Sequence, residues 1–261
     1  MRWRLSFRPS NTRDWQPDVA RLASAEVEGN GLLVRNVRNF AWRSETDRDE
    51  RWEDRAYNLE AIRGLDIFFC HWSSPHIAHT ILSWSFEGGS HLAVSIETRK
   101  SKDQRYSAVA GFFRQYELIY VAGDERDLIG VRTGVRNQEV YLYRMKVSRL
   151  AARTLLLNYA EAMNRLSRRP RWYNALTTNC TTVARRRVMH AGGRVPLSWK
   201  LFANGHLPEL LYERGSLDRN QPFAQLKALS RIDERARAAG TAEDFSARLR
   251  AGLPMPQMPG G

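Results

Sequence analysis

A cysteine at the start of a predicted helix has the placement of a nucleophile. Cys180 follows Thr178 and Asn179, either of which could cap a helical pattern that ends near His190. Helix dipole and free backbone N–H groups at such a position favour a thiolate. Backbone groups around Asn179 and Thr181 could also bind an oxyanion. Because a cysteine near a helix start is also common as a small buried residue, the nucleophile requires a base.

His79 is the candidate base, and a predicted hairpin supplies its partner. Gly88–Gly89 separates two strand-like segments and indicates the turn. With the turn centred there, antiparallel pairing sets His79 opposite Glu97 or a residue one step away. Ser95 and Arg99 share the face of Glu97 by alternation and are candidates for binding substrate. A carboxylate beside an imidazole fixes its tautomer and supports the imidazolium, so the pattern predicts thiol catalysis with Glu97 as the orienting residue.

Other readings of these residues stay open. His79 alone could be a core histidine, Glu97 could be a solvated strand residue or pair with Arg99, and His91 could replace Glu97 as the third member. Arg114 lies in an aromatic, charged segment and could position an anionic group near the thiol. A string of His71, His76 and His79 is broken by a proline and a change from turn to strand, so we expect no metal and no cofactor.

The amino-acid composition of the chain limits the classes of molecule that it could bind. Lys and Arg number 41 and Asp and Glu 28, a formal charge of +13 that favours anionic partners. The basic residues are dispersed and no zinc-finger, zipper or RNA-recognition pattern occurs, so the charge alone leaves open a solvated arginine-rich surface, a membrane surface or nucleic acid. The Cys–His pattern is what makes an anionic bilayer the favoured partner and nucleic acid unlikely. No apolar run approaches the roughly 20 residues of a membrane span, and no signal-peptide stretch lies near Met1, so we expect a soluble chain. Two cysteines exclude a disulfide-stapled scaffold.

The order of elements predicts an α+β fold with an antiparallel sheet. We expect an irregular segment over 1–30, one catalytic domain over 31–245 (strand-rich 31–147, helix-rich 148–245) and a disordered tail over 246–261. A polar loop is predicted at Arg43–Tyr57, and helices at Ser148–Arg168, Cys180–His190, 206–214 and 222–238. Strands are predicted at Gly31–Val37, Gly64–Trp72, Ala78–Phe86, His91–Arg99, Tyr116–Val121, Leu128–Arg132 and Glu139–Met145.

Several strings of the chain resemble a bacterial family, the Lnb-type lipoprotein N-acyltransferases, formerly catalogued as a domain of unknown function. That family is similar to the circularly permuted, papain-like NlpC superfamily, in which histidine precedes cysteine and in which lecithin:retinol acyltransferase also has Asn-Cys before a helix. The strings are VRNFAWRSETD (37–47), SPHIAHTILSWSFEGG (74–89), SIETRK (95–100), GFFRQYELIYVAGDERD (111–127), VYLYR (140–144) and YNALTTNCTT (173–182).

The resemblance implies a permuted papain-like fold, with the sheet packed against the helix that bears Cys180 and with further C-terminal helices. It implies a phospholipid acyl donor, a diacylglyceryl lipoprotein or peptide acceptor, and work at the periplasmic face of the bacterial inner membrane, an anionic surface. Cys180 would carry the acyl group, His79 would be the base and Glu97 the orienting residue. Two alternatives remain: a papain-like cysteine amidase or peptidase of cell-wall peptides, and a non-enzymatic basic module for lipid or nucleic acid.

Overall fold

A computed structural model describes residues 8–104, 116–173 and 204–256. The strands are β1 (Ser24–Glu28), β2 (Gly31–Arg38), β3 (Ala41–Trp42), β4 (Arg48–Asp49), β5 (Trp52–Asn58), β6 (Ile62–Ser74), β7 (Ile77–Phe86), β8 (His91–Arg99), β9 (Glu117–Gly123) and β10 (Glu139–Arg144). The helices of the described residues are α1 (Glu125–Leu128), α2 (Arg149–Arg168), α3 (Leu207–Glu213), α4 (Phe223–Ser230), α5 (Asp233–Ala239) and α6 (Phe245–Arg250). A π-helical turn covers Val131–Val135, and short 3-10 turns cover Pro17–Val19, Leu59–Ala61, Glu87–Gly89 and Asn204–His206.

One large sheet organises the described part of the chain. Its eight strands run in the order β1-β2-β9-β8-β7-β6-β10, and β5 pairs with β2 beside this path. The pairs are antiparallel except for a parallel bridge between Arg38 and Gly123. The mixed α+β class is therefore confirmed. The permuted papain-like arrangement stays a prediction, and the expected helix Cys180–His190 lies outside the described residues.

The hairpin between β7 and β8 has the predicted register. Gly88 and Gly89 both adopt positive φ angles, which residues with a Cβ rarely adopt, and they turn the chain at this point. Ile81 then pairs with Ser95, and Leu82 pairs with Val94. This register is what sets His79 near Ser95 and Glu97.

Each face of the sheet buries a separate apolar cluster. On one face α2 lies across the strands, held by its cap (Ser148 Oγ accepts from Ala151 N) and by the Trp84 indole, which donates to the Ala152 carbonyl at 2.9 Å. The opposite face carries His79 and is covered by α5 and α6. The first cluster includes Leu82, Trp84, Leu155, Leu156, Tyr159 and Met163; the second includes Phe68, Cys70, Ile81, Ile232, Phe245 and Leu249.

Two interior predictions were wrong. The loop expected at Arg43–Tyr57 contains β5, a polar strand in which only Tyr57 is buried, because pairing with β2 satisfies its backbone without apolar side chains. The strand expected at Leu128–Arg132 is the end of α1 followed by the π-helical turn. Asp124 caps α1 by accepting from Arg126 N, so its buried apolar run is helical and not extended.

The two ends and the last long helix also differ from expectation. The segment expected to be irregular to residue 30 contains β1, which pairs with β2. The expected disordered tail begins inside α6, and Leu249 and Leu253 are buried. The helix expected over 222–238 is divided into α4 and α5, because Ile232 N leaves the helical pattern to donate to the Val140 carbonyl of β10.

Among the described residues, no helix has the length and apolar character needed to cross a bilayer.

Candidate active site

His79 lies on β7 with its ring directed toward β8. Its Nε2 is 2.6 Å from the Ser95 hydroxyl oxygen. The imidazole is mostly buried, with 18% of the side chain exposed. Cys70 is the cross-strand neighbour of His79 on β6 and is fully buried in the core, as predicted for that thiol. His79 therefore borders the second apolar cluster, and one of its two ring nitrogens is hydrogen-bonded to Ser95.

Ser95 connects this histidine to a carboxylate. Its Oγ donates to Glu97 Oε1 at 2.7 Å, while the direct distance from His79 Nε2 to Glu97 Oε1 is 3.8 Å. A hydroxyl has a single hydrogen, and here the carboxylate accepts it, so the Ser95 oxygen must accept from His79 Nε2–H. This hydrogen-bond chain assigns the tautomer: Nδ1 carries the lone pair and is the nitrogen able to accept a proton.

Glu97 is kept ionised by its surroundings. Arg132, on the π-helical turn, donates from Nη2 to Glu97 Oε1 at 2.8 Å and is itself only 5% exposed. Burial alone would raise the pKa of Glu97, but the charge of Arg132, His79 once protonated, the charge of Arg38 and the Ser95 hydrogen bond outweigh it and hold that pKa well below the usual range. An ionised carboxylate can only accept, which fixes the direction of the whole hydrogen-bond chain.

His79 is neutral at neutral pH. Burial lowers its pKa to about 3, and the nearby charges of Arg132 and Arg136 add to this, although Glu97 acts in the opposite direction. A neutral imidazole is the form that can accept a proton. Its imidazolium would be disfavoured unless an anion formed beside it, as a thiolate or tetrahedral oxyanion would.

Ser95 is poorly placed to be a nucleophile itself. Its side chain has no exposed surface, and its hydroxyl lies between the imidazole and the carboxylate. A nucleophilic serine would stand at the end of such a chain, where a carbonyl carbon could approach it. The geometry instead makes Ser95 a bridge that orients His79.

The remaining predicted site residues fall in other places. Arg99 does not join the chain of His79, Ser95 and Glu97: its guanidinium donates to the Val19 and Ala20 carbonyls and lies 4.2 Å from the Trp15 ring centroid, so it anchors the N-terminal segment. His91 lies at the hairpin end with Nδ1 2.9 Å from the Gly89 carbonyl oxygen. Cys180, Asn179, Thr181 and Arg114 lie outside the described residues.

The three histidines of the possible zinc string do not converge. His76 Nδ1 lies 2.8 Å from His206 Nε2, and His71 meets the edge of the Tyr141 ring, while His79 binds Ser95. Within residues 8–104, 116–173 and 204–256, no group of three His, Cys, Asp or Glu side chains could hold a metal ion.

Arg132 is the site residue that the sequence reasoning missed. Its segment was predicted as a strand, which would have directed alternate side chains to opposite faces. The signal that could have corrected this is the cap Asp124 at the start of the acidic segment 124–127, since a capping aspartate marks the beginning of a helix. Turns of π type inside helices often occur at functional sites.

Comparison with known proteins gives one match. The family model described as the Lnb N-terminal periplasmic domain matches residues 48–205, more than half of the chain. The match contains His79, Ser95, Glu97 and Arg132, and also Cys180. No curated protein and no solved structure matches the chain.

Proposed function

The chain belongs to the family of the Lnb N-terminal periplasmic domain, and we propose that it is a thiol acyltransferase of lipoprotein processing. In this proposal Cys180 takes a fatty acyl chain from a phospholipid and passes it to the N-terminal amine of a bacterial lipoprotein. The proposed location is the periplasmic face of the inner membrane. Family membership supports the periplasmic, lipoprotein-related context, and the chemistry is argued from the site.

A single observation carries the proposed chemistry: the hydrogen-bond chain from Glu97 through Ser95 to His79 Nε2. It leaves Nδ1 as the basic nitrogen, and no described residue hydrogen-bonds to Nδ1. A buried, oriented, neutral histidine of this kind is what a cysteine nucleophile needs as its base. Cys180 is the only cysteine of the chain besides the core residue Cys70, and its sequence position at a predicted helix start favours a thiolate.

The first half-reaction forms a thioester. His79 Nδ1 takes the Cys180 proton, and the thiolate adds to the carbonyl carbon of a phospholipid ester. The tetrahedral intermediate collapses with cleavage of the ester C–O bond, and the lysophospholipid oxygen leaves with the proton from His79. The Ser95 and Glu97 chain stabilises the imidazolium during this transfer and keeps the ring from rotating.

The second half-reaction consumes the thioester. The neutral amine of the acceptor attacks the thioester carbonyl while His79 Nδ1 accepts its proton. The C–S bond then breaks, an amide is formed, and the proton returns to the Cys180 sulfur. The scheme is redox-neutral and needs no cofactor, because every bond broken is replaced by one of the same polarity.

The charge of the chain supports a membrane substrate. An excess of thirteen positive charges would be drawn to anionic lipid, with each basic residue near the surface contributing about 1 kcal/mol of attraction. Nucleic acid remains the less favoured partner, because the basic residues are dispersed.

Intact-mass measurement after incubation with phosphatidylglycerol vesicles tests the proposal. The expected result is an acyl-sized mass increase on the wild-type chain and on Cys70→Ser, and none on Cys180→Ser. Addition of a diacylglyceryl-cysteine peptide should discharge the adduct and produce the N-acyl peptide.

Two outcomes would contradict this assignment. An adduct that persists in Cys180→Ser would place the nucleophile elsewhere. Absence of any adduct, combined with Cys180-dependent cleavage of a cell-wall peptide, would establish the amidase alternative. The Cys70→Ser control separates loss of the nucleophile from a general effect of removing a thiol.

A further inference from the structure

A cavity of about 680 Å³ adjoins the π-helical turn. One wall is formed by Thr133, Gly134 and Val135 of that turn, while its neighbour Arg132 reaches Glu97. The ribbon of β3 and β4 and the end of α5 form the other walls. The volume falls within the range of about 300 to 1,000 Å³ that small-molecule sites occupy.

The charged groups of the cavity wall are mostly cationic. Four arginines line it, against a single carboxylate, Asp49: they are Arg43, Arg51, Arg126 and Arg237. The other carboxylates that pair with these arginines do not line the cavity: Asp47, Glu53, Asp124 and Asp233. A ligand in the cavity would therefore contact mainly guanidinium groups.

Donors remain for a ligand after these ion pairs are made. Arg126 uses Nε and Nη2 on Asp124, and its Nη1 has no acceptor among the described residues. Arg237 donates from Nη2 to Asp233 at 3.1 Å, while its Nη1 contacts with the Thr133 carbonyl and Asn137 are long, at 3.3 and 3.4 Å. Planar guanidinium forks of this kind suit the oxygens of phosphate groups.

An aromatic surface adjoins the arginines and is held rigidly. Phe40 and Trp42 line the cavity with ring centroids 5.8 Å apart. The fully buried Asp127 accepts from Trp42 Nε1 at 2.8 Å and from Phe40 N at 2.9 Å, and it is neutralised by the paired guanidinium of Arg38. The cavity thus combines a fixed apolar wall with phosphate-compatible donors.

We infer that this cavity is a binding site for a phosphate group carried on a small organic body, separate from the site of His79. Arg126 and Arg237 bind the phosphate oxygens, and the organic part packs against Trp42, whose ring is supported by the buried Phe40. The shared chemistry fits either the headgroup of a phospholipid or a water-soluble phosphate ester.

Isothermal titration of the full chain carrying Cys180→Ser tests the site without turnover. The probes are inorganic phosphate, glycerol phosphate and monomeric dihexanoyl phosphatidylglycerol, with glycerol as the neutral probe. Binding of at least one phosphate probe is expected, weakened by added sodium chloride because the contacts are ionic. Binding only of the lipid would indicate a headgroup, and comparable binding of glycerol phosphate a soluble ester.

The chain supplies a matched pair of variants. Arg237 and Arg248 each pair with an aspartate four residues earlier, but only Arg237 lines the cavity. Arg237→Gln and Arg126→Gln should each weaken phosphate binding about tenfold, and Arg248→Gln should leave it unchanged. Two separate cavity variants, each checked by thermal unfolding, guard against loss of folding in one of them.

The inference fails if no phosphate probe binds, or if the two cavity variants bind as the parent does. It also fails if Arg248→Gln loses as much affinity as Arg237→Gln. Because Cys180 is absent from this experiment, its failure would leave the proposed acyl transfer untouched, and failure of acyl transfer would leave this site untouched.

Discussion

The hydroxyl of Ser95 lies 2.6 Å from Nε2 of His79, closer to the imidazole than the Glu97 carboxylate is. The carboxylate thus acts on the histidine through a bridging serine, and the proton order along this chain makes Nδ1 the base. Arg132 completes the arrangement by pairing with Glu97. The electrostatic state of His79 therefore depends on two residues of β8 and on Arg132 of the π-helical turn.

Removing the charge of Arg132 is expected to raise the pKa of His79. In the folded wild type, burial and then the charge of Arg132 hold that pKa at about 3. Arg132→Gln removes the second cause, so the pKa should rise toward the ordinary value, whereas Arg132→Lys keeps the charge and should leave it low. Side-chain NMR of labelled histidine measures this titration and also the Nε2–H tautomer.

Arg136→Gln, at the residue that ends this turn, is the matched control, because the charge of Arg136 lowers the pKa of His79 less than that of Arg132 does. A wild-type His79 that titrates near pH 6.5, or an Arg132→Gln variant with an unchanged pKa, would contradict this electrostatic account.

Acidification is expected to destabilise the fold through His79. The pKa of His79 is about 3 when folded and ordinarily 6.5, so the unfolded chain binds this proton first as the pH falls. The free energy of unfolding should therefore decrease between pH 6.5 and about 3, by up to about 1.4 kcal/mol per pH unit from this residue. Urea unfolding of His79→Gln should show a flatter dependence across that window, and equal slopes would exclude the effect.

The C-terminal segment is expected to be essential for stability. Arg250 on α6 pairs with both Asp66 and Glu125, at 2.7 Å each, and all three side chains are largely buried. Arg250→Met should cost about 3 to 5 kcal/mol, because Glu125 loses its guanidinium partner and Asp66 keeps only the longer contact with Arg144 at 3.4 Å. Arg248→Met removes only the exposed pair with Asp244 and should change stability by less than about 1 kcal/mol.

Chemical denaturation of both variants measures the difference between their free energies of unfolding. Truncation after residue 245 also removes Arg250 and is an independent test of the same contribution to stability. Equal stabilities for Arg250→Met and Arg248→Met would show that the buried cluster does not anchor the tail.

Local patterns were sufficient to predict part of the site. The Gly88–Gly89 turn and the alternation of β8 predict that His79, Ser95 and Glu97 lie close together, and the structure has them in one hydrogen-bond chain. A hairpin register depends on nearby residues only, so the sequence contains the information directly.

Long-range ion pairs were beyond such patterns. Arg132 is 35 residues from Glu97 in the chain, and Arg250 is 184 residues from Asp66. A buried charge pair leaves no periodic signal in either segment, so the Pro- and Gly-rich end of the chain, with Arg248 and Arg250 before it, is predicted from sequence to be a disordered tail. The bridging position of Ser95 was also unpredicted, because its side-chain position between imidazole and carboxylate depends on packing that register does not specify.

The most direct test of the central claim is the initial rate of Cys180 acylation by phospholipid vesicles in two serine variants. Ser95→Ala removes the bridge between His79 and Glu97, whereas Ser85→Ala removes a buried hydroxyl of the same hairpin that makes no hydrogen bond within the described residues. The account predicts a rate about 100-fold lower for Ser95→Ala and an unchanged rate for Ser85→Ala. Equal acylation rates in the two variants would contradict it.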